Sequence, residues 1–182
     1  MSNVLTGNIW NCDSMGILSE GPVLVKAIAF HPADVTAVLT LKWWDERTPP
    51  TLTARNITWT VTTSTDNTVT ATTSAFPNTW LDGNVVRCIK DSVSTNNRIY
   101  GLIKTAGNDT AFVTHLAPFT DEVASAGDWD CYPTYTAFTT TLETVADSHR
   151  THWYPFGGEG FWFPNLALDF LSGSATAIIY VG

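Results

Sequence analysis

Along most of this chain, apolar residues recur with strand periodicity in short runs cut by polar turns. The clearest stretch is Asn67 to His115. Its runs Thr68–Thr73, Val85–Lys90, Arg98–Thr105 and Thr110–His115 are separated by Asp82-Gly83, Ser94-Thr95-Asn96-Asn97 and Gly107-Asn108-Asp109. β-Branched and aromatic side chains suit a pleated, half-buried surface. Gly, Asn and Asp tolerate the positive φ of tight turns. The pattern predicts a β-meander, with Val85–Lys90 and Arg98–Thr105 as open strands that either face solvent or grip a neighbouring subunit. One segment breaks the rhythm: in Thr120–Gly127, Thr120 can cap, Asp121 and Glu122 suit a helix N-terminus and Gly127 can stop it. One or two helical turns are expected there.

The chain ends have a different texture. Val23–Phe30, Ala37–Trp44 and Phe161–Val181 are apolar at consecutive positions, which in a strand means that both faces are covered. In the last strand, Ile178 and Tyr180 point one way and Ile179 and Val181 the other. Adjacent Trp43 and Trp44 must likewise face opposite sides, and Phe161-Trp162-Phe163 makes the same demand. Prolines flank the middle segment at Thr48-Pro49-Pro50 and at Tyr132-Pro133, where strands break. The predicted fold is therefore all-β: a discontinuous β-sandwich from residues 1–45 and 138–182, with a small β-barrel or meander module, residues 46–137, inserted between its strands. Insertion at a surface loop is tolerated because the loop's two ends lie close together.

Composition narrows the function. Charged residues make up 14% of the chain against an ordinary ~25%. Thr and Ser occupy polar positions instead, which suggests a surface covered in part by partner subunits. The formal net charge is −8 and the nine Lys and Arg are scattered. No basic stripe exists for nucleic acid or an anionic membrane. The start of the chain has no signal-peptide pattern, so synthesis in a cytoplasm is expected. Three cysteines, Cys12, Cys88 and Cys131, leave at least one unpaired and lack metal-type spacing.

Candidate chemistry is thin, and no catalytic, cofactor-binding or metal-binding residue is assigned. His149 and His152 would share a face only in a helix; His31 and His115 end apolar runs. Asp128-Trp129-Asp130-Cys131 offers two carboxylates and a thiol but no adjacent base. Gly157-Gly158-Glu159-Gly160 reads as a tight loop, since no helix follows to make it a phosphate cradle. The sharpest binding candidates are aromatic: Trp43, Trp44, Trp153, Tyr154, Phe156, Phe161, Trp162 and Phe163. Such residues serve as core, as subunit interface or as platforms for sugar rings.

Two resemblances bear on identity. Leu81-Asp82-Gly83-Asn84-Val85-Val86-Arg87-Cys88-Ile89, followed by Ser94-Thr95-Asn96-Asn97-Arg98-Ile99-Tyr100, resembles a small β-barrel module of bacteriophage structural proteins. Arg98 stands where that pattern usually has Gly. Val4-Leu5-Thr6-Gly7-Asn8-Ile9-Trp10, Pro22-Val23-Leu24-Val25-Lys26-Ala27-Ile28, Ser172-Gly173 and Ile179-Tyr180-Val181 resemble a family of short phage and prophage virion proteins, with Ile9 in place of the family's Pro. The resemblance implies a non-enzymatic structural subunit of a tailed-phage virion, a head decoration or neck and tail accessory protein. It would be homo-oligomeric and held by contacts with other virion proteins. The alternative expectation is a carbohydrate-binding, host-adsorption module.

Overall fold

A computed structural model describes residues 3–47, 52–89, 95–140, 150–172 and 174–182. Among them every regular element is a strand. The chain divides into two compact units, residues 1–43 with 135–182, and residues 44–134. These boundaries fall within three residues of those expected from the prolines.

The discontinuous unit holds β1 (Val4–Thr6), β2 (Ile9–Cys12), β3 (Gly16–Ser19), β4 (Val23–His31) and β5 (Leu39–Trp44) from the N-terminal half. The other half adds β12 (Thr134–Thr139), β13 (His152–Pro155), β14 (Phe161–Phe163), β15 (Leu166–Leu171) and β16 (Thr176–Val181). One sheet runs β1-β2-β16-β4-β13, with β14 also on β4; the second runs β12-β5-β15-β3. Inward residues of both form one core, including Trp10, Val25, Ile28, Phe30, Leu39, Leu41, Leu166, Leu168 and Ile179. β5 leads into the other unit and β12 returns from it; as neighbours in the second sheet they bring the two crossing points side by side.

The 44–134 unit is a closed barrel of β6 (Leu52–Thr63), β7 (Asn67–Ala71), β8 (Val85–Ile89), β9 (Tyr100–Asn108), β10 (Ala111–Thr114) and β11 (Glu122–Tyr132). Its order is β10-β7-β6-β11-β8-β9, closing on β10. The interior is aromatic: Trp129 meets Trp59, Phe112 and Phe119 edge-on at 5.2, 5.3 and 5.2 Å. Such arrangements set positive ring edges against negative faces. The exterior carries cross-strand pairs such as Thr60↔Thr70 and Thr62↔Thr68.

Three expectations are corrected. The barrel is not a simple meander, because β7 pairs with β6 and β10 rather than with β8. Closure also gives β8 and β9 partners on both sides, so neither is open to grip a neighbour. The segment expected to be helical is the start of strand β11. Its backbone is already engaged by two buried asparagines. Asn67 accepts from Phe119 N at 2.7 Å and donates to Phe119 O at 3.0 Å. Asn96 does the same for Thr120 N and O, at 2.8 and 2.9 Å. Asp121, expected at a helix N-terminus, instead accepts from Thr63 N at 2.6 Å. Those long-range bonds occupy groups a helical turn would need.

Arg98 adopts φ 66°, the left-handed conformation that Gly takes without strain. The turn is thus of the glycine kind although the residue is not.

Candidate functional site

The candidate aromatics divide by burial. Trp44 is fully buried in the barrel unit, 5.8 Å from Tyr100, and its Nε1 donates to Glu46 Oε1 at 3.2 Å. Trp43 is half-buried against the sandwich core and Tyr135. Phe163 is core, and Tyr154 and Phe156 pack against that core around Phe138. Trp153, Phe161 and Trp162 remain 52%, 57% and 64% exposed.

Those three sit at one edge of the first sheet, where β13 and β14 both pair with β4. Trp153 lies opposite Ala29, Trp162 opposite Leu24 and Phe161 opposite Val25. Between the two strands the chain loops out through Gly157 and Gly160, at φ 73° and 81°. A side chain on Gly160 would sit 2.7 Å from Val25 O, so only Gly lets the loop return to β4. The glycine-dense segment is therefore a tight return.

The outward side of this sheet is also apolar. Residues directly opposite on antiparallel strands point to one face. The pairings Val4↔Asn11, Asn11↔Ile178, Ile178↔Ala29 and Ala29↔Trp153 make one row across five strands. The next row is Thr6, Ile9, Tyr180, Ala27 and Pro155. Trp153 and Tyr180 lean together at 4.9 Å. Consecutive apolar residues in β16 were expected to mean two covered faces. Instead Ile178 and Tyr180 face outward and are only half-buried, while Ala177 and Ile179 fill the core. Covering about 100 Å² more of each exposed indole or phenyl ring would contribute roughly 2–3 kcal/mol, a large share of a domain's net stability.

The other chemistry named from the sequence is accounted for. Asp128 and Asp130 lie on strand β11, not on a loop, and sit either side of buried Trp129. Arg55 Nη2 bonds Asp130 at 2.7 Å, its Nη1 lies 3.8 Å from Asp128, and Asp128 also accepts from Asn56 N at 2.8 Å. Cys131 is buried in the barrel core, and burial pushes its thiol up to about 12; it is held as the thiol, not the nucleophilic thiolate. All three cysteines are buried and none is in a disulfide. His149 lies outside the described residues. His152 is on β13, and His31 Nδ1 is 2.8 Å from Thr151 Oγ1. Among the described residues no cluster of three or more His, Cys, Asp or Glu is arranged to hold a metal ion.

The chain matches no known protein family, curated protein or solved structure.

Asn11 and Thr176, polar members of the outward face, were not singled out from the sequence. The alternation in Thr176–Val181 marks Ile178 and Tyr180 as one side of a strand, but which side turns outward depends on partners far away in the chain.

Proposed function

We propose that this protein is a non-enzymatic structural subunit of a tailed-phage virion, a head decoration or neck and tail accessory protein, working by contact with neighbouring virion proteins. One observation carries the reading. Three segments with the virion-protein resemblance, drawn from both chain ends, form β1, β2, β16 and β4, four successive strands of one sheet. The resemblance therefore covers a contiguous structural unit. The exposed Phe161 and Trp162 on β14 supply the docking edge: large aromatics anchor protein interfaces because each removes much apolar area at a small entropic cost.

The test is mass spectrometry of gradient-purified particles of the phage that encodes the chain, with re-addition of purified protein to particles lacking it. The chain is expected at fixed stoichiometry in the particle, and a Phe161→Ser, Trp162→Ser double variant is expected to fold normally yet fail to rebind. Purified particles that never contain the chain would overturn the proposal.

A further inference from the structure

The connection between β7 and β8, residues 72–84, is tied to β9 and the β9–β10 hairpin at two points. Ala75 N and Phe76 N donate to Asp109 O at 2.7 and 2.8 Å, and Ala106 N donates to Asp82 Oδ1 at 2.6 Å. Between these ties the chain turns, closed by Trp80 N donating to Pro77 O at 3.0 Å. The connection and the hairpin together line a pocket of about 250 Å³. It lies at one end of the barrel, where β7 stops at Ala71, β9 stops at Asn108 and β10 starts at Ala111. Barrel mouths commonly hold small-molecule sites.

One wall of the pocket is aromatic. Phe76, Trp80 and Phe112 each pack on the other two, with ring centroids 4.9 to 5.4 Å apart, and all three are buried. Phe112 carries the packing on to Trp129 in the barrel interior, so the core backs this wall. The rim is polar. Asn108 Oδ1 accepts from Thr110 N, Thr110 Oγ1 and Ala111 N, which leaves the NH2 of its amide as the donor available to a guest. Among the described residues that line the pocket none is charged.

We propose that this pocket binds a small uncharged aromatic molecule carrying a hydrogen-bond acceptor, its ring against Phe76, Trp80 and Phe112 and its acceptor at the Asn108 amide. A cavity of about 150 Å³ takes up benzene, so one of about 250 Å³ holds a ring with a short substituent. Ring-on-ring packing adds to the gain from burying area. Enclosing a charge with no opposite charge beside it is costly, so the uncharged lining selects a neutral guest. The backbone ties hold both sides of the pocket in place, which keeps the ordering cost of binding small. The inference goes beyond the structural role and does not depend on it.

An NMR titration of the isotope-labelled chain with benzamide, toluene, benzoate and benzylamine tests the idea. The Trp80 indole N–H, buried and without a hydrogen-bond partner, reports on ring packing, and the Asn108 side-chain NH2 reports on the acceptor. Benzamide is expected to shift both signals saturably. Toluene, a ring without an acceptor, should bind about tenfold more weakly, and the charged benzoate and benzylamine should not bind. Filling the pocket with Ala106→Leu should abolish benzamide binding, as should Ala111→Leu from the neighbouring strand, while Trp162→Ala in the other unit leaves it unchanged. Urea midpoints near that of the parent chain show that the filled variants are folded. Failure of benzamide to shift either signal, toluene or a charged probe binding as tightly as benzamide, or binding that survives both filling substitutions overturns the proposal.

Discussion

Single residues reveal where local preference gave way to the fold. Arg98 stands at a position that the virion-barrel resemblance fills with Gly, and it takes up the glycine conformation at φ 66°. A left-handed non-Gly residue costs about 1–2 kcal/mol, and glycine's greater freedom in the unfolded chain returns roughly 0.5–1 kcal/mol of that. Arg98→Gly is therefore expected to stabilise the protein by about 0.5–1 kcal/mol, seen as a higher urea midpoint at unchanged slope. A lower midpoint would mean that the arginine side chain itself stabilises the turn. Trp43 and Trp44 carry a related lesson. Their adjacency in a strand required opposite faces, and the division between the two units falls between them. Which indole would be fully enclosed was not legible from Trp-Trp, because Tyr100, which packs on Trp44, belongs to a distant segment.

At the scale of elements, β11 is the instructive case. Thr120-Asp121-Glu122 has the composition of a helix start, and local propensity alone favours that reading. Buried Asn67 and Asn96 outcompete it by holding both backbone groups of Phe119 and Thr120. Asn67 makes three such bonds, the third from Nδ2 to Thr63 Oγ1 at 2.8 Å. Removing its amide leaves the buried Phe119 N–H unpaired, at about 1–3 kcal/mol, and Phe119 O with only the 3.4 Å bond from Thr63 Oγ1. Asn67→Ala should thus destabilise the barrel by about 2–3 kcal/mol, with loss of hydrogen-exchange protection at Phe119. Retained protection at that amide would show that the asparagine is not what holds the segment extended. The four runs between Asn67 and His115 were legible as strands because alternation and turn residues are local signals. Their order was not, since β10 closing onto β7 is a contact between residues some forty positions apart.

For the whole molecule, burial sets the response to alkali. The thiols of Cys12 and Cys131 are each pushed from 9.0 up to about 12, chiefly by burial. Burial also raises Tyr100 and Tyr132. All four are acids whose folded-state values lie above their unfolded ones, so the folded chain keeps protons that the unfolded chain releases. Their contribution to stability is fully present below pH 9.0 and declines as the pH climbs through about 12. Urea midpoints measured upward from neutral pH should fall above pH 9.0, and less steeply in a Cys12→Ala, Cys131→Ala variant compared with its own neutral value. A midpoint independent of pH across that range would contradict the burial of these groups.

The sequence by itself determined the β class, the interrupted outer domain and the sites where the chain crosses between units, because periodicity, turn residues and prolines act over a few neighbouring positions. It also marked the aromatic residues as the ones to watch. Only the tertiary structure decided which of them stay exposed, since Trp44 and Phe163 are core while Trp153, Phe161 and Trp162 stand at a sheet edge. The outward face of the first sheet is wholly of that second kind. Asn11, Ile178, Ala29 and Trp153 share a row because antiparallel pairing brings four distant strands into register, and no local pattern in any one of them specifies its neighbour.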